Sequence, residues 1–522
     1  MGLYGNDLFY VLLLVLLFVL QLLWLKLSRR KKDAERRSQG RTAADLSFCI
    51  CVSLAVASLF HLYPGSGRLP IEDSSAFLYI GKRMLEGRLP YRDIFDHKGP
   101  ILYLIQVLGL SLTPGSHTGV WVLEVLNMLM TVWLLRKLAG LTAEHDDSAY
   151  LAVLAAVGIC GWKIWQGGNF TEEFALPWIS LAAFVFFRFF GKNDIRQGQI
   201  ILLGISFAVV LMLRANMIAC WAALMPIVLI MLLREKRYAD IGKCTLLFLA
   251  GMLLILVPIV VWAASAGFLT EMWQDYVLFN FTYTGNAATM AIPKHILMLR
   301  LAEVIWPGLL AALIAAVLDR CRRSQWFNLL FFAVSIFTAA MSGRLYYHYA
   351  IVVLPAAVLP FVSIFNYTGR LIRGRDRQTE TGPALVILTC LLFLIGAFCY
   401  RELTSVPAGT EPLTLWLQEN TKEDDDVLVL GKSLGYYIQA DRKTDNRFFY
   451  QLPPLEISST LREEFKEELL QHPSDCIVIP GDAEARDRTK EKLEDAWQTL
   501  EQLTETDYIR EEYDLFEVYI KQ

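Results

Sequence analysis

Paired cysteines, metal-type clusters and basic patches are what this sequence most lacks. Its nine cysteines are scattered, mostly inside apolar runs (Cys49, Cys51, Cys160, Cys220, Cys244, Cys390, Cys399). None forms a CxxC pair or sits with histidine at zinc-ligand spacing, which argues against a thiol redox centre or a structural zinc site. The polar C-terminal region holds only Cys476, so it has no internal disulfide. Basic residues are spread over short loops and are not interleaved with stacking aromatics, so no nucleic-acid partner is expected. No internal repeat is found.

Apolar residues are what the chain has in excess. They make up 55% of it, mean hydropathy is +0.40, and they come in runs of about twenty, the length that crosses ~30 Å of hydrocarbon. About twelve spans are expected: 8–27, 45–63, 118–138, 148–165, 172–190, 199–213, 216–233, 245–265, 300–318, 326–342, 349–366 and 383–400. The first has no basic start or small-residue cleavage site and is followed by RRKKDAERR, so it reads as an anchor with its N-terminus outside. Basic clusters at Arg29–Arg37, Arg136–Lys137, Lys192–Arg196, Arg234–Arg237, Arg320–Arg323 and Arg370–Arg377 fall on alternate connections, which the positive-inside rule makes cytoplasmic. The loops 64–117, 166–171, 266–298 and 343–348, and everything after 400, are then extracytoplasmic.

The 64–117 loop breaks the charge rule with Arg68, Lys82, Arg83, Arg88, Arg92 and Lys98, as a site for an anionic ligand would. Asp73-Ser-Ser reads as a helix N-cap, Phe77, Leu78, Gly81, Met84 and Leu85 follow helical spacing, and Gly87 ends the run. Lys82, Arg83 and Glu86 fall on the polar face, as in a helix lying in the membrane interface. After a turn at Leu89-Pro90-Tyr91, Ile101–Leu112 is too short to span comfortably and reads as a second interfacial helix. The pair is expected to form a lid.

Composition changes at about residue 401. VLVLG (427–431) and CIVIP (476–480) read as buried strands, Thr414–Asn420, Ser458–Gln471 and Ala483–Glu501 as amphipathic helices, and Phe516–Ile520 as a last strand. Gly431-Lys432-Ser433 is not a phosphate loop, because Asp426 stands where the opening glycine belongs. The expected fold is a mainly α polytopic membrane protein with a small C-terminal α/β extracytoplasmic domain. Its divisions are 1–44 (an added anchor and basic loop), 45–400 (the membrane domain) and 401–522.

Four extracytoplasmic segments carry unusual polar residues: Glu72-Asp73; Tyr91-Arg92-Asp93 with Asp96-His97-Lys98-Gly99-Pro100; Gly168 to Glu173; and Arg344 to Tyr349. All face one compartment at similar depth, so one cavity is expected to collect them. Plainer roles compete. Asp73 would cap its helix, Lys98 would snorkel to headgroups, and Glu172 and Glu173 would favour a helix N-terminus. Asp93 and Asp96 would pair with Arg92 or Lys98 as a clamp, and His348 with its tyrosines would belong to an aromatic belt.

The stretch DSSAFLYIGKRMLEGRLPYRDIFDHKGP resembles the first outer loop of bacterial GT-C membrane glycosyltransferases. The branch it is similar to uses polyprenyl-phosphate sugars: protein O-mannosyltransferases, lipid A aminoarabinose transferases and lipopolysaccharide galacturonosyltransferases. The matching pattern is Asp73, the helix, and His97-Lys98-Gly99-Pro100, with Gly99 in place of the usual first proline and His97 in place of an acid seen in some members. TEEFALP and RLYYHY also resemble later segments, and the likeness covers roughly 45–370.

The resemblance implies a glycosyltransferase of the cytoplasmic (cell) membrane. It would move a sugar from a polyprenyl-phosphate-linked donor to a lipid, glycan or protein acceptor on the outer face, with inversion. Asp73 would be the general base. Lys98, Arg92, Arg344 and His348 would bind the donor phosphate. Glu72, Asp93, Asp96, His97, Glu172, Glu173 and Tyr347 would position substrate, and membrane lipids would surround the whole. No cofactor is expected; a divalent metal is compatible with the acids, but no metal site is predicted. The competing classes are a transporter or lipid-linked sugar flippase, a polysaccharide polymerase and a glycan receptor.

Overall fold

The computed structural model describes residues 34–64, 70, 72–160, 164–165, 167–283, 293–319, 323–342, 346–373, 412–431, 434–480 and 483–522. The expected spans at 8–27 and 383–400 lie outside these residues, as does Arg344. Two compact units cut across chain order. The first comprises Met1–Tyr63, Trp121–Pro258 and Ala291–Thr404; the second comprises Pro64–Val120, Ile259–Met290 and Ser405–Gln522.

The first unit is helical, and the chain is a multi-pass membrane protein. Among the described residues four helices are long and apolar enough to cross a membrane: Thr118–Ala139, Thr171–Lys192, Tyr238–Ala266 and Tyr347–Leu371. Ala44–Ala57, Gln197–Leu213 and Ala219–Arg234 are apolar but shorter. The run expected as one span at 300–318 is instead two helices meeting at 86°. Pro307 in the first turn of Trp306–Leu318 explains the break, because proline has no N–H and its ring clashes with the preceding helical turn. The run at 148–165 is an α-helix over Asp146–Leu154 that widens to a π-helix over Ala155–Cys160, whose Val157 carbonyl accepts the Trp165 indole N–H at 3.1 Å.

Two glycines permit the closest helix approach in this unit. A Cβ on Gly204 would sit 2.0 Å from the Phe248 carbonyl oxygen, and one on Gly251 would sit 2.2 Å from that of Ile201. Small residues at such crossings let backbones meet where lipid gives no hydrophobic drive. Arg136, in one of the clusters expected to be cytoplasmic, is buried. It lies 3.1 Å from Asp45 and 3.2 Å from Asp146, with its guanidinium over the Tyr150 ring.

The second unit contains a four-stranded mixed sheet: β1 (Val427–Val429), β2 (Cys476–Pro480), β3 (Tyr508–Tyr513) and β4 (Phe516–Lys521), in the order β1-β2-β4-β3. β1 and β2 are parallel and buried, as their continuous apolar runs require. β3 was not expected, because its YIREEY sequence alternates poorly and faces solvent as an edge strand. The helix expected over Ala483–Glu501 is two helices, Ala483–Leu493 and Asp495–Asp507, divided at Glu494 in a left-handed conformation. No glycine or proline marks that break.

The two loop helices form as expected, over Glu72–Leu85 and Pro100–Leu112, and Gly87 turns the chain at φ +94°. Two details differ. The first helix opens at Glu72, so Asp73 lies inside its first turn and is not its cap. Arg83 is buried and paired with Glu86 and, at 3.0 Å, with Asp445, because C-terminal residues cover that face. On the same side Tyr79 stacks on Phe449 at 4.7 Å, and its hydroxyl donates to the Thr444 carbonyl at 3.1 Å. The second helix keeps an exposed apolar row, Leu104, Leu108 and Leu112, at the i, i+4, i+8 spacing of one helical face.

Candidate active site

In the second unit the turn after Tyr91 is built around one buried carboxylate. Tyr91 holds a left-handed backbone at φ 68°, and its hydroxyl donates to the Lys98 carbonyl at 2.7 Å, which closes the turn. Asp96 is 2% exposed. Its Oδ1 accepts the His97 amide at 2.7 Å and the Tyr450 hydroxyl at 2.9 Å; its Oδ2 accepts the Tyr103 hydroxyl at 2.9 Å. Lys98 Nζ lies 3.6 Å from Oδ1 and 3.2 Å from His97 Nε2, and also sits over the Phe77 ring. Burial alone would raise the Asp96 carboxyl, but Lys98, His97 and the two tyrosine hydroxyls hold it below the usual carboxylate range.

His97 is also held by packing. Its ring stacks on Tyr283 at 5.2 Å and meets Phe279 edge-on at 5.6 Å, while Asn280 donates to its carbonyl at 2.8 Å. The aromatic segment from Trp273 to Tyr283 thus divides by face: Phe279 and Tyr283 support the turn, and Trp273 and Phe281 are exposed. Asp73 is half-buried in the first turn of its helix, and its charge reaches the Tyr450 hydroxyl. Burial first, then Asp96 and Asp73, push that hydroxyl well above its ordinary range, so it stays a donor.

Arg92 and Asp93 are not in this cluster. They pair with each other, Arg92 Nε to Asp93 Oδ1 at 2.8 Å, and Asp93 also accepts the Leu89 amide at 2.8 Å. The Arg92 side chain is 43% exposed. Glu72 opens its helix.

The first unit gathers the other sequence-derived residues. Glu172 and Glu173 are buried at the start of the helix Thr171–Lys192. Glu172 accepts from Arg214 at 2.5 Å and from the Thr171 hydroxyl at 2.9 Å; Arg214 also donates to the Tyr349 hydroxyl at 2.8 Å and lies over its ring. His348 is buried, stacked on Phe170 at 4.1 Å with a 7° interplanar angle. Tyr347, by contrast, is exposed.

Beside them, Gly167, Gly168 and Asn169 all adopt positive φ, and this curl delivers the Asn169 amide to Glu124 Oε1 at 2.5 Å. Glu124 is fully buried and close enough to Glu173 to interact. Its Oε2 and both Glu173 carboxylate oxygens have no hydrogen-bond partner among the described residues. Nor, among those residues, is any group of three or more His, Cys, Asp or Glu placed to hold a metal.

Sequence reasoning missed Tyr103, Tyr450, Asn280, Arg214 and Glu124. Two of these carried a signal. Glu124 is a lone acid inside an apolar run, and Arg214 interrupts another, and ionisable residues in such places are costly without a role. Tyr450 carried none, being 354 positions from Asp96.

Solved structures identify the fold. ArnT from Cupriavidus metallidurans bound to undecaprenyl phosphate is similar with a TM-score of 0.59 at 12% identity, over 92% of this chain and 98% of that one. The same protein in the apo state gives 0.57, with the same identity and coverage. An oligosaccharyltransferase from Archaeoglobus fulgidus in the apo form gives 0.47 at 13% identity, over 84% of this chain and 70% of that one. This chain shares the fold of those ArnT structures. No curated protein matches in sequence. The model of one family, described as putative competence-induced protein Ccs4, N-terminal domain, matches residues 47–399, most of the sequence, and the chain belongs to that family.

Proposed function

We propose that this protein is a glycosyltransferase that moves a sugar from a polyprenyl-phosphate donor to an acceptor hydroxyl, on the outer face of the membrane. The observation that carries this reading is Lys98. Its ammonium is held 3.6 Å from a buried, ionised Asp96, and the charge of half-buried Asp73 acts on the Tyr450 hydroxyl that bonds Asp96. The similar fold of ArnT, a protein solved with undecaprenyl phosphate bound, supports the choice of donor.

The roles follow from charge. As the glycosidic bond breaks, negative charge grows on the leaving phosphate, and Lys98, with His97 beside it, supplies the cation that stabilises it. Asp73 takes the proton of the acceptor hydroxyl, which is otherwise a poor nucleophile. Attack by an acceptor activated in one step inverts the anomeric centre. Asp96 acts through Lys98, and Arg92 and Asp93 shape the turn.

The test uses purified protein in nanodiscs with undecaprenyl-phosphate hexose and measures release of undecaprenyl phosphate. Release by the native protein, abolished in Asp73→Asn with normal membrane insertion, is expected. Intact activity in Asp73→Asn removes Asp73 as the base. Substrate movement across the bilayer without bond cleavage would instead establish a flippase.

A further inference from the structure

We infer that Tyr450 is a positioning residue for the phosphate-binding turn, keeping Lys98 from being captured by its own counter-ion. This rests on the reading that Lys98 meets the donor phosphate. Tyr450 reaches the turn from the C-terminal part of the chain, so that region would act in donor binding.

The argument is one of lone pairs. An ammonium beside a buried carboxylate normally closes to a contact of about 2.7–2.9 Å. Here Lys98 Nζ stops at 3.6 Å from Asp96 Oδ1. That oxygen already accepts two bonds, from the His97 amide at 2.7 Å and from the Tyr450 hydroxyl at 2.9 Å. Oδ2 is engaged by Tyr103. The oxygen that Lys98 approaches therefore attracts it without offering a free lone pair, and the ammonium keeps donor capacity for an incoming phosphate oxygen.

Other groups around Asp96 do not replace this effect. Its own turn presents His97, whose Nδ1 is 3.4 Å from Oδ1, and the helix Pro100–Leu112 presents Tyr103. Tyr91 and Asp275 feel the Asp96 charge, and Asp73 and Tyr283 face Tyr450. Among these, Tyr450 is the side-chain donor bonded to the same oxygen that Lys98 approaches.

Tyr450→Phe keeps the ring and removes only the hydroxyl. Lys98 then closes on Asp96, and binding of undecaprenyl phosphate to the full-length protein in nanodiscs should weaken about tenfold, which is a change of about 1.4 kcal/mol. In an Asp96→Asn background there is no carboxylate to capture Lys98, so adding Tyr450→Phe should have no further effect; that non-additivity distinguishes positioning from a general loss of fold. If Tyr450→Phe does not survive purification, Tyr450→His, which retains an N–H donor, is expected to bind near the native level.

Native-level binding by Tyr450→Phe, with Lys98→Ala binding lost, overturns the inference and leaves the donor reading standing. An equal loss in both backgrounds also overturns it. Native-level binding by Lys98→Ala removes the donor reading and the inference together.

Discussion

Arg447 Nη2 lies 2.5 Å from Asp275 Oδ2, which joins residues 172 positions apart in the second unit. Both side chains are buried, at 9% and 5% exposure. The same guanidinium donates to Glu464 at 2.7 Å and to the Tyr91 carbonyl at 2.9 Å, and the Arg447 carbonyl accepts the Phe95 amide at 2.8 Å. One arginine therefore fixes the segment carrying Tyr450, the aromatic segment supporting His97 and the turn carrying Lys98.

Arg447→Ala leaves Asp275 buried without its cation. Breaking a buried pair from one side costs about 3–5 kcal/mol, and proton uptake by the orphaned acid limits the loss. A fall in thermal stability of the detergent-solubilised protein is expected, together with faster proteolysis near residue 447. Replacing both partners with apolar residues should cost less than Arg447→Ala alone. A larger loss in the double variant would mean that the pair is worth more than its desolvation.

Part of this was readable in the sequence. Pro100 ahead of an apolar run marks the helix Pro100–Leu112, VLV and CIVIP mark β1 and β2, and Gly87 marks a turn. These signals are local, set by period and by backbone preference. The Asp96–Tyr450 and Arg447–Asp275 contacts are not, since nothing near residue 450 encodes a partner hundreds of positions away. The N-cap reading of Asp73 failed for a related reason. Cap chemistry allows Asp73 or a residue before it to start the helix, and the backbone starts it at Glu72.

Lys98 and Arg92 separate two kinds of cation. Lys98 is 13% exposed beside a buried acid, whereas Arg92 is 43% exposed and paired with its neighbour Asp93. Lys98→Ala should abolish measurable binding of undecaprenyl phosphate. Arg92→Ala should leave it within about threefold and cost no more than about 1 kcal/mol of stability, as exposed pairs do. Equal losses of binding in the two variants would bring Arg92 back as a phosphate ligand.

Arg214→Ala tests the first unit. Glu172 is 3% exposed and would keep only its Thr171 partner among the bonds described above. A loss of about 3 kcal/mol or more is expected, read as a lower unfolding temperature in a fixed detergent. Arg214→Lys keeps the charge but cannot reproduce the fork that serves Glu172 and Tyr349 together, so it should recover only part of that loss. An unchanged unfolding temperature in Arg214→Ala would mean that the Arg214–Glu172 pair contributes nothing measurable to stability.

Gly168→Ala adds a Cβ where φ is +80° and where Glu124 Oε1 and Phe60 Cγ would each lie 2.5 Å away. Left-handed backbone and overpacking together should cost about 2 kcal/mol or more. Gly191→Ala is the control. It lies in the helix Thr171–Lys192 with nothing within 4 Å of the added atom, and should be neutral or stabilising by up to about 1 kcal/mol. Comparable unfolding temperatures for the two variants would show that the curl at 167–169 has slack that the packing does not suggest.

Asp96 also makes the second unit sensitive to acid. Its carboxyl is lower in the folded protein than its ordinary value of 3.8. The stabilisation this gives is fully present above that value and is lost as pH falls through the folded one, so the window lies below about pH 4. Asp93 loses stabilisation in the same window, because Arg92 and the Leu89 amide outweigh its burial. The informative quantity is therefore the difference between native protein and Asp96→Asn, followed by unfolding temperature from pH 6 to pH 3. The native protein should lose more stability over that range, because the variant has no carboxylate to protonate. Parallel curves would mean that Lys98 and the tyrosines do not hold the Asp96 carboxyl below its ordinary range, and the turn would have to be kept in place by its backbone and aromatic packing alone.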